Sequence, residues 1–501
     1  MKRISLHLII IFSILCMSAV SGNAQSKKET DQLIREKVLT KTNVKKLKSL
    51  EKQKYQQFTE EKRQALELAE ENGWPTQIEK DGRFIELMKV DKDGNPIYYT
   101  TYNSNAAIST RATTLHNSGL LGLNLEGQGM TAHVWDGGLA RSTHQEYDGI
   151  GGTDRFSIGD NSTALNYHSA HVTGTIIASG VQADAKGMAP QGYAVGYDWN
   201  ADIAEVADAA ANGMLLSNHS YGWVASELPD WVFGAYVADS RDWDEVLYNA
   251  PYYLMCVAAG NDGNDNASNG APLDSDPNYD KLTGHALAKN NLVVANGREI
   301  AIDANGEFVS MSINGSSSEG PTDDYRIKPD ITGNGTNIYS TYETSNTAYE
   351  SLTGTSMASP NVAGTLLLLQ QYYSQQYSEF MKAATLKGLA LHTADDAGPA
   401  GPDAAFGWGL MNAKKAAQVI GNNFDGTIIN ERTLLDGEVY TIDVFASGTE
   451  DLTRGRLMGF LVALIVFVGG FAYTQLGQLE DPEFTVRTAV VYTEYPGRRP
   501  A

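Results

Sequence analysis

Short apolar runs alternate with helical segments through the middle of the chain. TAHVWD, APQGYAVGYDW, PYYLMCVAAG and KNNLVVANG read as strands, and ADIAEVADAAANGM and PNVAGTLLLLQQYYSQQ carry apolar residues at helical spacing. This alternation over about 115–420 predicts an α/β region with a mostly parallel sheet covered by helices on both faces. The flanks differ. Residues 25–73 are rich in Lys, Glu and Gln with Leu and Val at loose helical spacing, which predicts a solvated amphipathic helix. GRFIELMKVDKDGNPIYYTTYN predicts two strands around the turn KDGN, before the polar stretch NSNAAISTRATT.

Residues 25–110 therefore form a small α+β unit, and its polar end suits a cleavable pro-region ahead of a domain at 111–420. Residues 421–450 read as the opening strands of a β-domain that stops before a sandwich could close. LMGFLVALIVFVGGFAYTQ (457–475) holds no charge. At about 1.5 Å per residue it just crosses a hydrocarbon layer of about 30 Å, so a membrane span fits better than a buried core helix.

Composition narrows the class. A chain of 501 residues exceeds one compact core, and 42 % apolar with 20 % charged residues is globular rather than disordered. With 60 acidic against 38 basic residues, a net charge of −22 disfavours a nucleic-acid surface. Lys2 and Arg3, an apolar core, and the small residues Gly22 and Ala24 make residues 1–24 a cleavable signal peptide, which predicts a secreted or periplasmic protein. Lipidation at Cys16 fits less well, because Leu15 is too large for the residue before it. Removing the signal leaves Cys256 alone in an apolar run, so no intramolecular disulfide can form.

Four segments carry candidate chemistry. AHVWDGG delivers Asp136 at a strand's carboxyl end, where active sites of open parallel sheets collect. YHSAHVTGT sets His168 and His171 ahead of a helix with small residues at Ala170, Gly174 and Ala178. The i,i+3 spacing without an intervening Glu argues against a zinc pair and makes His171 a packed neighbour. LMCVAAGNDG ends a strand at Asn261, whose amide could face a site. SLTGTSMASPNVAGT puts Ser356 at a predicted helix N-terminus, with Pro360 in the first turn. A lone serine there reads as a cap. Beside an Asp and a His it reads as a nucleophile, with free N–H groups placed to hold an oxyanion.

These strings resemble the subtilases, the subtilisin-like serine proteases. GTSMASPNVAG is similar to the family's serine motif, WDGG to its aspartate motif, HSAHVTGT to its histidine motif and AAGND to its oxyanion-hole segment. KPDI (328–331) and GWGLMNAKKA (407–416) resemble its flanking core segments. SNHSYG (217–222) resembles the edge segment that pairs with substrate backbone, which makes Ser220, Tyr221 and Gly222 substrate-binding. The resemblance implies a subtilisin-like three-layer fold and a serine endopeptidase acting on polypeptides, with the pro-region as its intramolecular inhibitor. Ser356 would attack, His168 act as base and then acid, Asp136 orient His168, and Asn261 hold the oxyanion. An inactive subtilase-like binding module is the alternative. Ser169-Ala170 and Thr173 in the histidine motif, and GNG at 333–335, depart from the family's usual residues.

No cofactor is required for this chemistry. A structural calcium could take the Asp and Asn oxygens of the acidic loop 262–280. From about 456 the chain resembles something else, the first transmembrane helix and porter-domain start of a resistance-nodulation-division efflux pump, with GQLEDPEFTVRTAVVYTEYPG (477–497) as its telling string. Export by the signal peptide would leave Arg454 and Arg456 outside, against the positive-inside rule. A fusion near residue 450 is therefore expected, with membrane association only if 457–475 is genuine.

Overall fold

The computed structural model describes residues 32–80, 83–91, 94–101, 108–148, 154–423, 427–433, 439, 441 and 488–490. The chain divides into two compact units, Met1–Ala417 and Gln418–Ala501. In the second, Glu431–Thr433 pairs antiparallel with Thr488–Val490. The expected signal peptide, the span at 457–475, most of the β-domain at 421–450 and most of the efflux-like fragment lie outside the described residues. Among the described residues, no helix is long and apolar enough to cross a membrane.

After a helical segment at 32–41, the first unit carries helix α1 (Val44–Asn72) and strands β1 (Gln77–Lys80), β2 (Arg83–Val90) and β3 (Pro96–Thr101). There follow β4 (Thr131–Asp136), β5 (Phe156–Ile158), α2 (Tyr167–Ile177), β6 (Tyr193–Asp198), α3 (Asp202–Ala211), β7 (Leu216–His219), β8 (Tyr221–Trp223), α4 (Ala238–Asn249), β9 (Leu254–Ala258), β10 (Leu292–Ile302), β11 (Phe308–Ile313), β12 (Ile331–Asn334) and α5 (Thr355–Tyr377). The main sheet runs β11-β10-β9-β7-β4-β6-β5, with β12 also on β10; only β11 is antiparallel. The apolar strands β9 and the start of β10 are buried throughout, as both-face coverage demands.

Helix packing around the site depends on close approach. A Cβ on Gly174 of α2 would sit 2.3 Å from Thr341 Oγ1 and 2.5 Å from Ser340 Oγ, so only glycine lets α2 lie against Ile338–Thr341.

Two expectations change here. The helix at 25–73 is not simply solvated, because Leu47, Leu50, Lys54, Ala65 and Ala69 of α1 are buried. Lys54 pairs with Asp242 of α4 at 2.5 Å, and Lys46 with Glu245 at 2.6 Å. A buried lysine neutralising a buried aspartate on another element leaves no mark on the helix's own polar pattern. The segment 217–222 is also not a simple edge. β7 lies centrally, between β4 and β9, and only β8 leaves the main sheet. The polar β7 tolerates this position because its buried groups are partnered. Ser217 Oγ is 2.6 Å from Tyr253 Oη and 2.8 Å from His219 Nε2, and His219 Nδ1 is 2.9 Å from Tyr221 Oη.

Strand β8 instead closes a four-stranded antiparallel sheet, β1-β2-β3-β8. The register Tyr99↔Trp223, Thr100↔Gly222, Thr101↔Tyr221 sets the last strand of the N-terminal unit along the segment expected to bind substrate.

Candidate active site

Three adjacent parallel strands bring the candidate chemistry to one edge. Asp136 ends β4, Ser220 directly follows β7, and Asn261 lies just beyond β9. His168 stands in the first turn of α2, whose entry Asn166 caps by accepting from the His168 N–H at 2.8 Å. His168 Nδ1 lies 2.8 Å from both carboxylate oxygens of Asp136, and both side chains are fully buried. Asp136 Oδ1 also accepts from the Gly137 N–H at 2.7 Å. That arrangement fixes the ring's tautomer, leaving Nε2 to handle a proton.

Ser356 is the second residue of α5, so its backbone N–H belongs to the unpaired first turn. Pro360 is not in that turn. The helix begins at Thr355, which places the proline one turn further in, where it has no N–H to give the Ser356 carbonyl. Ser220 supplies the missing donor, since its Oγ donates to Ser356 O at 2.7 Å, while Ser356 Oγ donates to Ser220 O at 2.7 Å. Asn218 extends this clasp, donating to Ser220 Oγ at 2.8 Å and accepting from Ser359 Oγ at 2.7 Å. Asn166, Asn218 and Ser359 escaped the sequence reading. The Ser-x-x-Ser-Pro spelling was the only signal for the last.

Asn261 is turned by its neighbours. Its Oδ1 accepts from Thr355 N–H and Thr355 Oγ1, both at 3.0 Å. With the oxygen committed, the Nδ2 end is the free donor, and nothing among the described residues accepts from it. His171 stays apart from the chemistry. It is buried, its Nε2 lies 2.9 Å from Ile338 O, and burial pushes its pKa down to about 3.

The three expected substrate-binding residues divide. Ser220 belongs to the clasp. Tyr221 turns a fully buried side chain away, its hydroxyl donating to Asp202 Oδ2 at 2.8 Å and its ring stacked on Tyr99 at 5.3 Å. Gly222 offers only backbone, paired with Thr100.

Asp202 introduces a pH dependence. Burial foremost, then the Asp239 carboxylate, push its pKa up to about 7, against the pull of Tyr221 and of Lys89, which itself sits 2.7 Å from Asp239. Glu61 adds negative charge around Lys89 and Tyr99. A carboxyl raised in the folded state contributes stability fully present below its unfolded value and lost as pH rises through about 7. The full chain's folding equilibrium is thus expected to weaken between pH 4 and 7 by up to tenfold per unit from this group, and Asp202→Asn should flatten that slope in denaturant titrations. An unchanged slope in the variant would remove Asp202 from the account.

Among the described residues no three His, Cys, Asp or Glu side chains gather as a metal centre. Much of the acidic loop satisfies itself, with Asp265 accepting from the Ala267 and Ser268 N–H groups and Asp276 from Asn278.

Residues 139–409 match the model of the Subtilase family. The chain is 31 % identical over 320 residues to Subtilisin BL of Lederbergia lenta, covering 62 % of this chain and 96 % of that protein. It is 28 % identical over 304 residues to Subtilisin DY of Bacillus licheniformis, covering 58 % and 92 %. Among solved structures, the CspB protease of Clostridium perfringens matches with a TM-score of 0.50 at 16 % identity, over 63 % of this chain and 99 % of that one, a likeness of fold alone. The family match opens after Asp136 and ends at 409, so it gives the efflux-pump resemblance of the tail no support.

Proposed function

We propose, from the premise that this chain belongs to the subtilase family and is a serine-type endopeptidase, that Ser356, His168 and Asp136 carry its hydrolysis of peptide bonds. The observation that carries the reading is His168 Nδ1 held 2.8 Å from both oxygens of a buried Asp136, at the sheet edge where Ser356 heads α5. Ser356 Oγ attacks the scissile carbonyl carbon as its proton passes to His168 Nε2, and Asp136 stabilises the imidazolium. The carbonyl oxygen becomes an oxyanion between Asn261 Nδ2 and the Ser356 N–H. Collapse breaks the C–N bond, the amine leaves with the proton from His168, and water then releases the acyl group by the same steps in reverse.

The substrate lies extended along β8, adding a strand through backbone hydrogen bonds. In the chain as made, β3 holds that position in the antiparallel sense, which supports residues 25 to about 108 as an inhibitory pro-region. Ser109, Thr110 and Arg111 are buried, with Arg111 bonded to Asp395 and to the carbonyls of Ser109 and Met411. Their burial supports grouping them with the mature domain, which favours a boundary between 101 and 109. Residues 1–24 direct export of the whole.

Asn261→Ala tests the oxyanion role. The variant is expected to lose about 10²- to 10³-fold in kcat on a peptide substrate with KM nearly unchanged. A loss confined to KM would assign Asn261 to binding instead.

A further inference from the structure

The face that the N-terminal unit covers is charged in one sense. Helices α3 (DIAEVADAAA) and α4 (ADSRDWDEVLYN) together carry seven carboxylates against the single base Arg241. Four of those carboxylates meet lysines of the N-terminal unit. Lys46 lies 2.6 Å from Glu245, Lys54 2.5 Å from Asp242 and Lys89 2.7 Å from Asp239, and Lys48 pairs with Asp208. Between the charges runs an apolar seam, in which Leu47, Leu50 and the partly buried Phe58 of α1 share one cluster with Val206, Ala210 and Val246.

Release of the pro-region changes that face. The four lysines leave with it, and what stays is an apolar stripe ringed by carboxylates without their cations, the composition of a binding surface rather than of idle exterior. Nor is α1 closely fitted to it. A cavity of about 100 Å³ persists between Lys54, Phe58 and Lys89 on one side and Asp202, Asp239 and Asp242 on the other. Beside it Asp239 Oδ2 has no partner among the described residues, although Oδ1 meets Lys89. Charge and apolar pattern match across this boundary while packing does not, so the face reads a chemistry rather than one sequence.

We infer that the α3–α4 face is an exosite of the matured protease, taking a lysine-rich amphipathic helix of a polypeptide substrate in the place that α1 vacates. The inference rests on the protease reading and on release of the pro-region, and it names a substrate class for that site. The helix required is the pattern of α1: apolar residues three apart at Leu47 and Leu50, lysines beside the first at 46 and 48, and a further lysine at 54. Because α1 precedes β3 in the chain and β3 lies along β8, such a helix stands N-terminal to the scissile bond. Seated on α3 and α4, it raises the effective concentration of the segment that follows it at β8.

The test compares two fluorogenic substrates on the matured chain, purified in about 1 M sodium chloride to strip residual pro-region. Each joins one cleavable peptide, through an N-terminal Gly/Ser linker of about 25 residues reaching roughly 25–30 Å, to a helix of the α1 pattern. One helix carries the lysines, the other glutamates at the same positions. At low ionic strength the lysine substrate is expected to show a KM at least about tenfold lower at equal kcat. About 0.5 M sodium chloride should erase most of that gap. Asp208→Asn with Glu245→Gln, at partly exposed positions, should narrow it, and adding Asp239→Asn and Asp242→Asn should close it. The salt comparison needs no variant, so it decides even where a substitution blocks folding. Equal KM values for the two substrates, or a gap that survives salt, would overturn the inference. Failure to hydrolyse the shared peptide alone would instead sink the protease reading, and the exosite with it.

Discussion

Replacing Ser356 by alanine is expected to lower kcat by about 10⁶-fold, the loss that subtilisin itself suffers when its serine or histidine is removed. The argument is local. Of the hydroxyls in the clasp, Ser220 Oγ is spent on the Ser356 carbonyl and Ser359 Oγ on Asn218, so neither can replace the nucleophile. The fold should tolerate the change. Ser356 Oγ makes one hydrogen bond to Ser220 O, worth about 1 kcal/mol, while the reciprocal bond from Ser220 survives. The same substitution should stop maturation. The parent chain is expected to shed its first hundred or so residues and expose a new N-terminus between 102 and 108, whereas the variant keeps its pro-region. N-terminal sequencing and gel mobility check both. Shedding at the parent rate in the variant would mean that processing is not the work of Ser356.

Asp136→Asn carries the second largest effect, about 10⁴-fold in kcat with the fold preserved. The carboxylate accepts from His168 Nδ1 with either oxygen and also from the Gly137 N–H. An asparagine can keep the Gly137 bond with its oxygen, which then turns its NH₂ toward His168. A donor facing Nδ1 selects the tautomer protonated at Nε2, and that nitrogen can no longer take the serine's proton. The loss should appear in kcat with KM little changed, measured on a chromogenic peptide. A loss below tenfold would remove Asp136 from the mechanism.

Legibility followed the range of the interaction. Strand β9 and the start of β10 were readable because burial on both faces leaves an unbroken apolar run. β7 was not, since Ser217, Asn218 and His219 are buried by satisfying one another and neighbours rather than by being apolar. Asp136, His168, Asn261 and Ser356 were readable because each sits in a short string whose glycines and small residues are dictated by the turn or helix start. The partners that set their angles come from elsewhere. Ser220 meets Ser356 across 136 residues of chain, and Lys54 meets Asp242 from a separate unit of the pattern.

The central claim is that Ser356 is an activated nucleophile poised by His168 and Asp136. Labelling with a fluorophosphonate probe tests it most directly, because such reagents phosphonylate, with loss of fluoride, only a serine whose proton a neighbouring base removes. The account predicts stoichiometric labelling of the matured chain, mapped by peptide mass to Ser356, abolished in Ser356→Ala and strongly slowed in Asp136→Asn. No labelling of the matured chain, or labelling that persists in Ser356→Ala, would contradict it.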